Sequence, residues 1–220
     1  MNGAALYDLA MRLPLALLMF YNALFVGRDI YVHLFLWRGP TGLTYATSLA
    51  ALLATEAYLL LVAALTLVRL RPVRKLKGIA PRITALAAGL LPASLAWLPR
   101  VEPTPFRQMT GTLLIVAGMT LALVSLGWLG KSFSVMPEAR RLVTGGPYRF
   151  VRHPVYLAGM IQAAGLLLLY PSLAALLLFT VEITLQIVRM RYEERVLRDT
   201  FPDYDNYARQ TAARLVPGVY

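Results

Sequence analysis

Apolar residues in this chain fall into six long runs separated by short polar stretches, at about residues 13–36, 44–68, 82–98, 109–130, 154–170 and 172–190. A helix needs roughly 20 mostly apolar residues to cross the hydrocarbon core of a bilayer. The pattern predicts an all-α integral membrane protein, a bundle of about five to six transmembrane helices. Two runs depart from a clean span. Arg28 and Asp29 interrupt the first near its outer end, which predicts either a paired charge or a helix break there. The third is short and carries Pro92, so tilt or packing against neighbours has to compensate. The last two are separated only by Tyr170-Pro171-Ser172, which predicts a tight helical hairpin with the proline in the first turn of its second arm.

Composition agrees with this reading: of 220 residues, 58% are hydrophobic and 15% charged. The formal charge of +11 raises the question of nucleic acid, and its distribution answers it. Six basic residues lie in 69–82, five in 131–152 and six in 189–214. All three zones flank apolar runs, where Lys and Arg set topology and meet anionic head groups. No nucleic-acid-binding motif accompanies them, so nucleic acid is excluded as a partner and the lipid bilayer is the expected one. The opposite loops carry only Arg38, Arg100 and Arg107. The positive-inside rule therefore places both termini and the basic loops in the cytoplasm, as in a bacterial inner membrane. Residues 1–8 lack a basic stretch and the first run is long enough to span, so the first helix is expected to be retained. The chain has no Cys and two His, which excludes disulfides, thiolate catalysis and Cys-metal sites. No metal centre is expected.

Candidate chemistry concentrates in one polar, turn-rich island, Gly145-Gly146-Pro147-Tyr148-Arg149-Phe150-Val151-Arg152-His153-Pro154-Val155-Tyr156. Charged groups beside lipid are costly, so such an island reads first as a site. Helical rise adds a distance argument. Counting back from Pro171, His153-Pro154 lies about 26 Å down one arm, and Glu193 lies about 33 Å down the other. The hairpin thus brings Arg152, His153 and Tyr156 beside Glu193 and Glu194. A helix starting at Pro154 also leaves backbone N–H groups free at its N-terminus.

Along the second arm, Glu182, Gln186, Arg189 and Glu193 share a face. That face either packs in the bundle or lines a cavity, and Glu182 has to point inward in both cases. On the first arm, Tyr156, Gly159 and Ala163 share a face whose small residues would permit close helix approach. Residues 192–220 read as an amphipathic cytosolic tail, with Val196, Leu197, Phe201, Tyr204 and Tyr207 as its apolar contacts and Pro217 at its end. It either lies on the head groups or closes the pocket as a lid.

The runs Leu129-Gly130-Lys131-Ser132-Phe133-Ser134, Leu142-Val143-Thr144-Gly145-Gly146-Pro147-Tyr148-Arg149 and Arg152-His153-Pro154-Val155-Tyr156 resemble the isoprenylcysteine carboxyl methyltransferase family. The Glu193-Glu194 pair, followed by Leu197, Phe201, Tyr204, Tyr207 and Pro217, does so too. The related integral-membrane phospholipid methyltransferases share the Arg-His-Pro-x-Tyr and Glu-Glu elements. The resemblance covers about residues 109–217 and divides the chain into N-terminal transmembrane helices (1–108) and a methyltransferase core with hairpin and tail (109–220).

What the resemblance implies is methyl transfer from S-adenosyl-L-methionine, at the cytoplasmic face, to a lipophilic acceptor entering from the bilayer. Methyl transfer from a sulfonium is an in-line displacement, so alignment of donor and acceptor is the protein's main task. The resemblance implies cofactor binding by Tyr148, Arg152, His153, Pro154, Tyr156, Glu193 and Glu194. In that reading Arg152 or His153 holds the carboxylate and Glu193 or Glu194 the ammonium or ribose. Tyr148 and Tyr156 offer aromatic faces to the sulfonium or adenine.

Arg152, Glu193 and Arg189 are the candidate catalytic residues. Arg189 would orient an acidic acceptor or pair with Glu193, or else serve only as an anchor at the interface. The acceptor atom stays open among carboxylate, phenolic or pyrone oxygen, thiol and lipid amine. Glu193, Glu194 and His153 are the candidate bases where one is needed. Two alternatives remain. Membrane reductases of the sterol reductase type, which use NADPH, carry a similar Arg-His-Pro-x-Tyr element, but Val155 stands where a polar residue is expected in them. The other alternative is a non-catalytic membrane protein that keeps the motif as structure.

Overall fold

The computed structural model of the protein describes residues 12–39, 41–91 and 103–218. Helix α1 (Leu13–Tyr31) runs on through a π turn at Val32–Leu36. The charges within the first run form a pair: Arg28 donates to Asp29 at 2.8 Å and the helix passes through them unbroken. α2 (Leu43–Val68) returns beside α1. Their ends away from the basic loops are joined through His33, whose ring stacks on Tyr45 at 4.4 Å, while the Tyr45 hydroxyl donates to the His33 carbonyl. This histidine is structural.

α3 (Ala80–Leu90) opens the third run, whose remainder at 92–98, with Pro92, lies outside the described residues. α4 (Pro105–Leu129) begins at a Thr104 cap followed by proline, a pairing suited to a helix start. α5 (Pro154–Leu169) and α6 (Leu173–Arg198) are the last two runs, and a short α7 (Tyr204–Gln210) follows.

Four helical stretches are long and apolar enough to cross a membrane: 13–36, 43–68, 105–132 and 173–198, with α5 as a shorter apolar helix. Only 11% to 22% of an apolar 18-residue window in each of the four is buried inside the protein. Leu17, Phe20, Leu53 and Leu177 are among the large apolar side chains left outside. That much apolar surface is stable against lipid, not water. Inside the spans, Thr47, Thr55, Thr66, Thr120 and Thr180 return their hydroxyls to the carbonyl four residues back, so these five hydroxyls need no water there.

The closest packing is antiparallel, α4 on α5, and glycine makes it possible. A Cβ on Gly165 would stand 2.6 Å from the Gly111 carbonyl oxygen, and one on Gly118 would meet Ala158 O at 2.8 Å. The backbones themselves are in contact, as small-residue interfaces in membranes allow. This corrects the expected close-approach face: a Cβ on Gly159 would meet nothing within 4 Å.

The hairpin also differs from a tight pair. Ser172 caps α6 by accepting from Ala175 N at 3.1 Å, so Pro171 precedes the cap instead of occupying the first turn. α5 leans on α4 and α6 on α3, and the arms touch only sparsely. A small, mostly apolar cleft lies between them, lined by Ala163, Leu167, Leu178, Phe179 and Glu182. Glu182 is buried, as its depth requires, and Gln186 donates to it at 2.6 Å.

The basic loops meet at one end of the bundle. Leu70 N donates to Lys131 O at 2.8 Å. Strands β1 (Arg74–Lys75) and β2 (Glu138–Ala139) then pair antiparallel, Arg74 opposite Ala139 and Lys75 opposite Glu138. Beneath them, Val62 and Leu65 of α2, Leu126 of α4 and Phe133 form the core that supports the site.

Candidate active site

The polar island is a fixed turn. Gly146 adopts φ +59°, and a Cβ there would lie 2.4 Å from the Trp128 ring. Left-handed backbone and a covering indole both demand glycine. Residues Gly146–Arg149 form one 3-10 turn, and His153 then directly precedes α5, with Pro154 at its first position.

The Glu193-Glu194 pair arrives where helical rise expects it, and the two carboxylates face different partners. Glu193 accepts from the Tyr156 hydroxyl at 2.6 Å. Glu194, 5% exposed, accepts from Arg152 Nε at 2.9 Å and from Arg214 Nη2 at 3.1 Å, and contacts His153 Nε2 at 3.2 Å. Arg152 Nη1 also reaches the carbonyls of Ala208, Thr211 and Ala212 at 3.2, 2.8 and 2.8 Å. The backbone N–H groups of Arg152 and His153 donate to Ala213 O and Arg214 O at 3.0 Å. Tyr207 completes the clasp, its hydroxyl donating to Tyr148 O at 2.7 Å. These bonds tie the segment after α7 onto the island.

A polar cleft opens beside this clasp. Of the expected cofactor residues, Tyr148, Arg152, His153 and Glu193 line it. Tyr156 stands behind Glu193, Glu194 stands behind Arg152 and His153, and Pro154 is buried at the helix start. Arg189 neither lines the cleft nor pairs with Glu193. Its guanidinium lies 5.2 Å over the Tyr156 ring and donates to Val135 O at 2.7 Å, tethering the loop before β2 to α6. Leu197, Tyr204 and Tyr207 form one wall, so this part of the tail packs against the protein.

Burial, with Glu193 nearby, pushes the Tyr148 phenol well above its ordinary value. Burial does the same to Tyr204, and Tyr207 is pushed up to about 12. These tyrosines are neutral hydrogen-bonding groups at physiological pH.

The opposite wall was not anticipated. Ser132, Ser134, Glu138 and Arg140 line it. Arg140, with its side chain 1% exposed, bonds Glu138 through Nη2, while its Nε and Nη1 are buried without a partner. Burial pulls its pKa down against the pull of Glu138, and Arg69 and Arg12 push in the same direction as burial. Ser132 Oγ and Tyr204 OH are likewise buried and unpartnered. The signal in the sequence was weak: Arg140 sits in a basic loop, where a lipid anchor is the ordinary reading.

The geometry defines a class: a helical membrane protein with a polar cleft at the end that carries its basic loops. Residues 106–204 match the phospholipid methyltransferase family model, in keeping with the resemblance read from the motifs. The nickel-cobalt-cadmium resistance protein NccN of Alcaligenes xylosoxydans xylosoxydans is 36% identical over 98 residues, 44% of this chain and 45% of that protein. The cobalt-zinc-cadmium resistance protein CzcN of Cupriavidus metallidurans is 34% identical over 97 residues, 44% of each. The chain thus spans just under half the length of the curated relatives it matches. Among the described residues, no group of three or more His, Cys, Asp or Glu side chains is placed to hold a metal ion.

Proposed function

We propose that the protein is an S-adenosyl-L-methionine-dependent methyltransferase acting on a lipophilic acceptor at the cytoplasmic face of the membrane. One observation carries the reading. Within the segment that matches phospholipid methyltransferases, Tyr148, Arg152, His153 and Glu193 converge from distant positions on a single cleft. The basic loops at that end support the cytoplasmic orientation through the positive-inside rule.

The residues present fit such a cofactor. Glu193, oriented by the Tyr156 hydroxyl, would hold an ammonium or ribose hydroxyls. Tyr148 offers an aromatic face to a sulfonium. When bound, the cofactor supplies an electrophilic methyl group. Alignment is then the protein's contribution, with the clasp around Glu194 holding Tyr204 and Tyr207 as a wall that limits water. Arg152 and His153 act here chiefly by positioning, since Glu194 and the tail engage them. The apolar cleft between α5 and α6 offers a berth for an acceptor chain.

The names of the two relatives refer to metal resistance. If this chain serves a similar end, its site suits modification of a lipophile more than ligation of the ion. Incubating membranes that contain the full chain with methyl-labelled S-adenosyl-L-methionine and fractionated lipids tests the proposal. A labelled organic-phase product, lost in Glu193→Gln, is expected. Absence of label above membranes lacking the protein, with the chain folded and inserted, contradicts it.

A further inference from the structure

Arg140 poses a physical problem that the protein alone does not solve. Its side chain is 1% exposed, yet Nε and Nη1 have no partner. Leaving buried charged donors unpaired is costly, and native structures rarely tolerate it without a ligand or water to satisfy them. Glu138 does not supply the missing acceptors. One of its oxygens already takes the Ser134 hydroxyl and Arg140 Nη2, and the other faces Lys75 at 3.6 Å.

Cationic neighbours add to the effect of burial on this guanidinium. Arg69 and Arg12 both press electrostatically on Arg140. Ser132 Oγ, buried and unpartnered, lines the same cleft. An oxyanion would satisfy the geometry and the charge together, because the guanidinium fork matches carboxylate and phosphate.

We propose that Arg140 and Ser132 form an oxyanion subsite at the β1–β2 end of the cleft, which takes a carboxylate or a phosphate group. Two sources share this chemistry: the acidic head of an acceptor lipid, or the carboxylate of the methyl donor. Location favours the first. Arg69 follows the last residue of α2 and Arg12 precedes the first of α1, so this corner lies at head-group depth. The assignment to a step in methyl transfer rests on the function proposed above; the oxyanion subsite does not.

The test uses the purified full chain in micelles, with binding followed by titration calorimetry and thermal unfolding. Short-chain phosphatidic acid is compared with the matching diacylglycerol, and adenosylhomocysteine with methylthioadenosine, which lacks the amino-acid carboxylate. In Arg140→Gln the acid-bearing member of one pair should lose about tenfold or more in affinity, and its acid-free counterpart should change little. Loss for phosphatidic acid identifies the acceptor head, and loss for adenosylhomocysteine identifies the donor carboxylate.

Arg140→Lys, which keeps charge but not the fork, should lose part of the effect, and Ser132→Ala several-fold. Arg71→Gln, removing an exposed charge from a neighbouring loop, should change neither pair. The proposal is overturned if folded Arg140→Gln binds every probe as the wild type does, or if Arg71→Gln weakens binding equally. Should Arg140→Gln not fold, the Lys and Ala variants decide by the same criteria. Wild-type protein that binds phosphatidic acid through Arg140 but neither nucleoside would defeat the methyltransferase reading and leave the subsite standing.

Discussion

The cleft has two polar walls, and they differ in how far their hydrogen bonds are met. On the clasp side, Glu194 is ringed by Arg152, His153 and Arg214, and Arg152 reaches three tail carbonyls. On the β1–β2 side, Arg140 and Ser132 keep buried donors without partners, whereas in the wall held by the clasp the Tyr204 hydroxyl is left so. A satisfied buried network holds structure, while an unpartnered buried donor that lines a cleft is a place where a ligand can complete the bonding. The contrast separates positioning residues from binding residues more sharply than residue type does. Glu193 and Glu194 are adjacent in the chain, yet only Glu193 lines the cleft.

The largest expected effect comes from breaking the satisfied wall. Glu194→Ala leaves Arg152 and Arg214 without their carboxylate, and loss of one partner from a buried pair costs about 3–5 kcal/mol. Unfolding in micelles should shift accordingly, and trypsin should cut sooner around Arg209 and Arg214. Glu193→Gln should do the opposite, leaving unfolding nearly unchanged while weakening adenosylhomocysteine by about tenfold or more. If both variants lost stability alike, the division between the walls would fail.

Gly146→Ala probes the turn that carries the island. Its Cβ would collide with Trp128 at a positive φ, for a cost of about 1–3 kcal/mol, with a change in tryptophan emission. Tyr207→Phe removes one bond, from its hydroxyl to Tyr148 O, and should cost about 1 kcal/mol.

The smallest effect is one of pH. Burial is the main cause that pushes Tyr207 up to about 12, above the ordinary value near 10. Its contribution is complete below about pH 10 and is lost as pH rises through 12, because the folded state keeps the proton longer than the unfolded chain. Wild-type stability should therefore fall more steeply than that of Tyr207→Phe between those values.

Much of this was legible from the chain. Apolar run lengths located the helices, and helical rise alone brought Tyr156 to Glu193 across the hairpin. Side-chain direction was not legible. Rise places residues at a height and leaves open which partner takes each carboxylate, so Arg189 was free to leave Glu193 for the Tyr156 ring. The α4–α5 contact depends on Gly111 and Gly165 facing each other, a pairing that the small-residue pattern of either helix alone does not fix. Arg140 stayed hidden because a guanidinium in a basic loop is normally solvated. In the fold it directly follows the β1–β2 pairing, and its side chain is buried.

The central claim is that this cleft receives a methyl donor. Titration of the purified full chain with adenosylhomocysteine, set against NADPH, tests it most directly. Saturable binding of adenosylhomocysteine, and none of NADPH, is the predicted result. Binding of NADPH without adenosylhomocysteine would contradict the account and favour a membrane reductase.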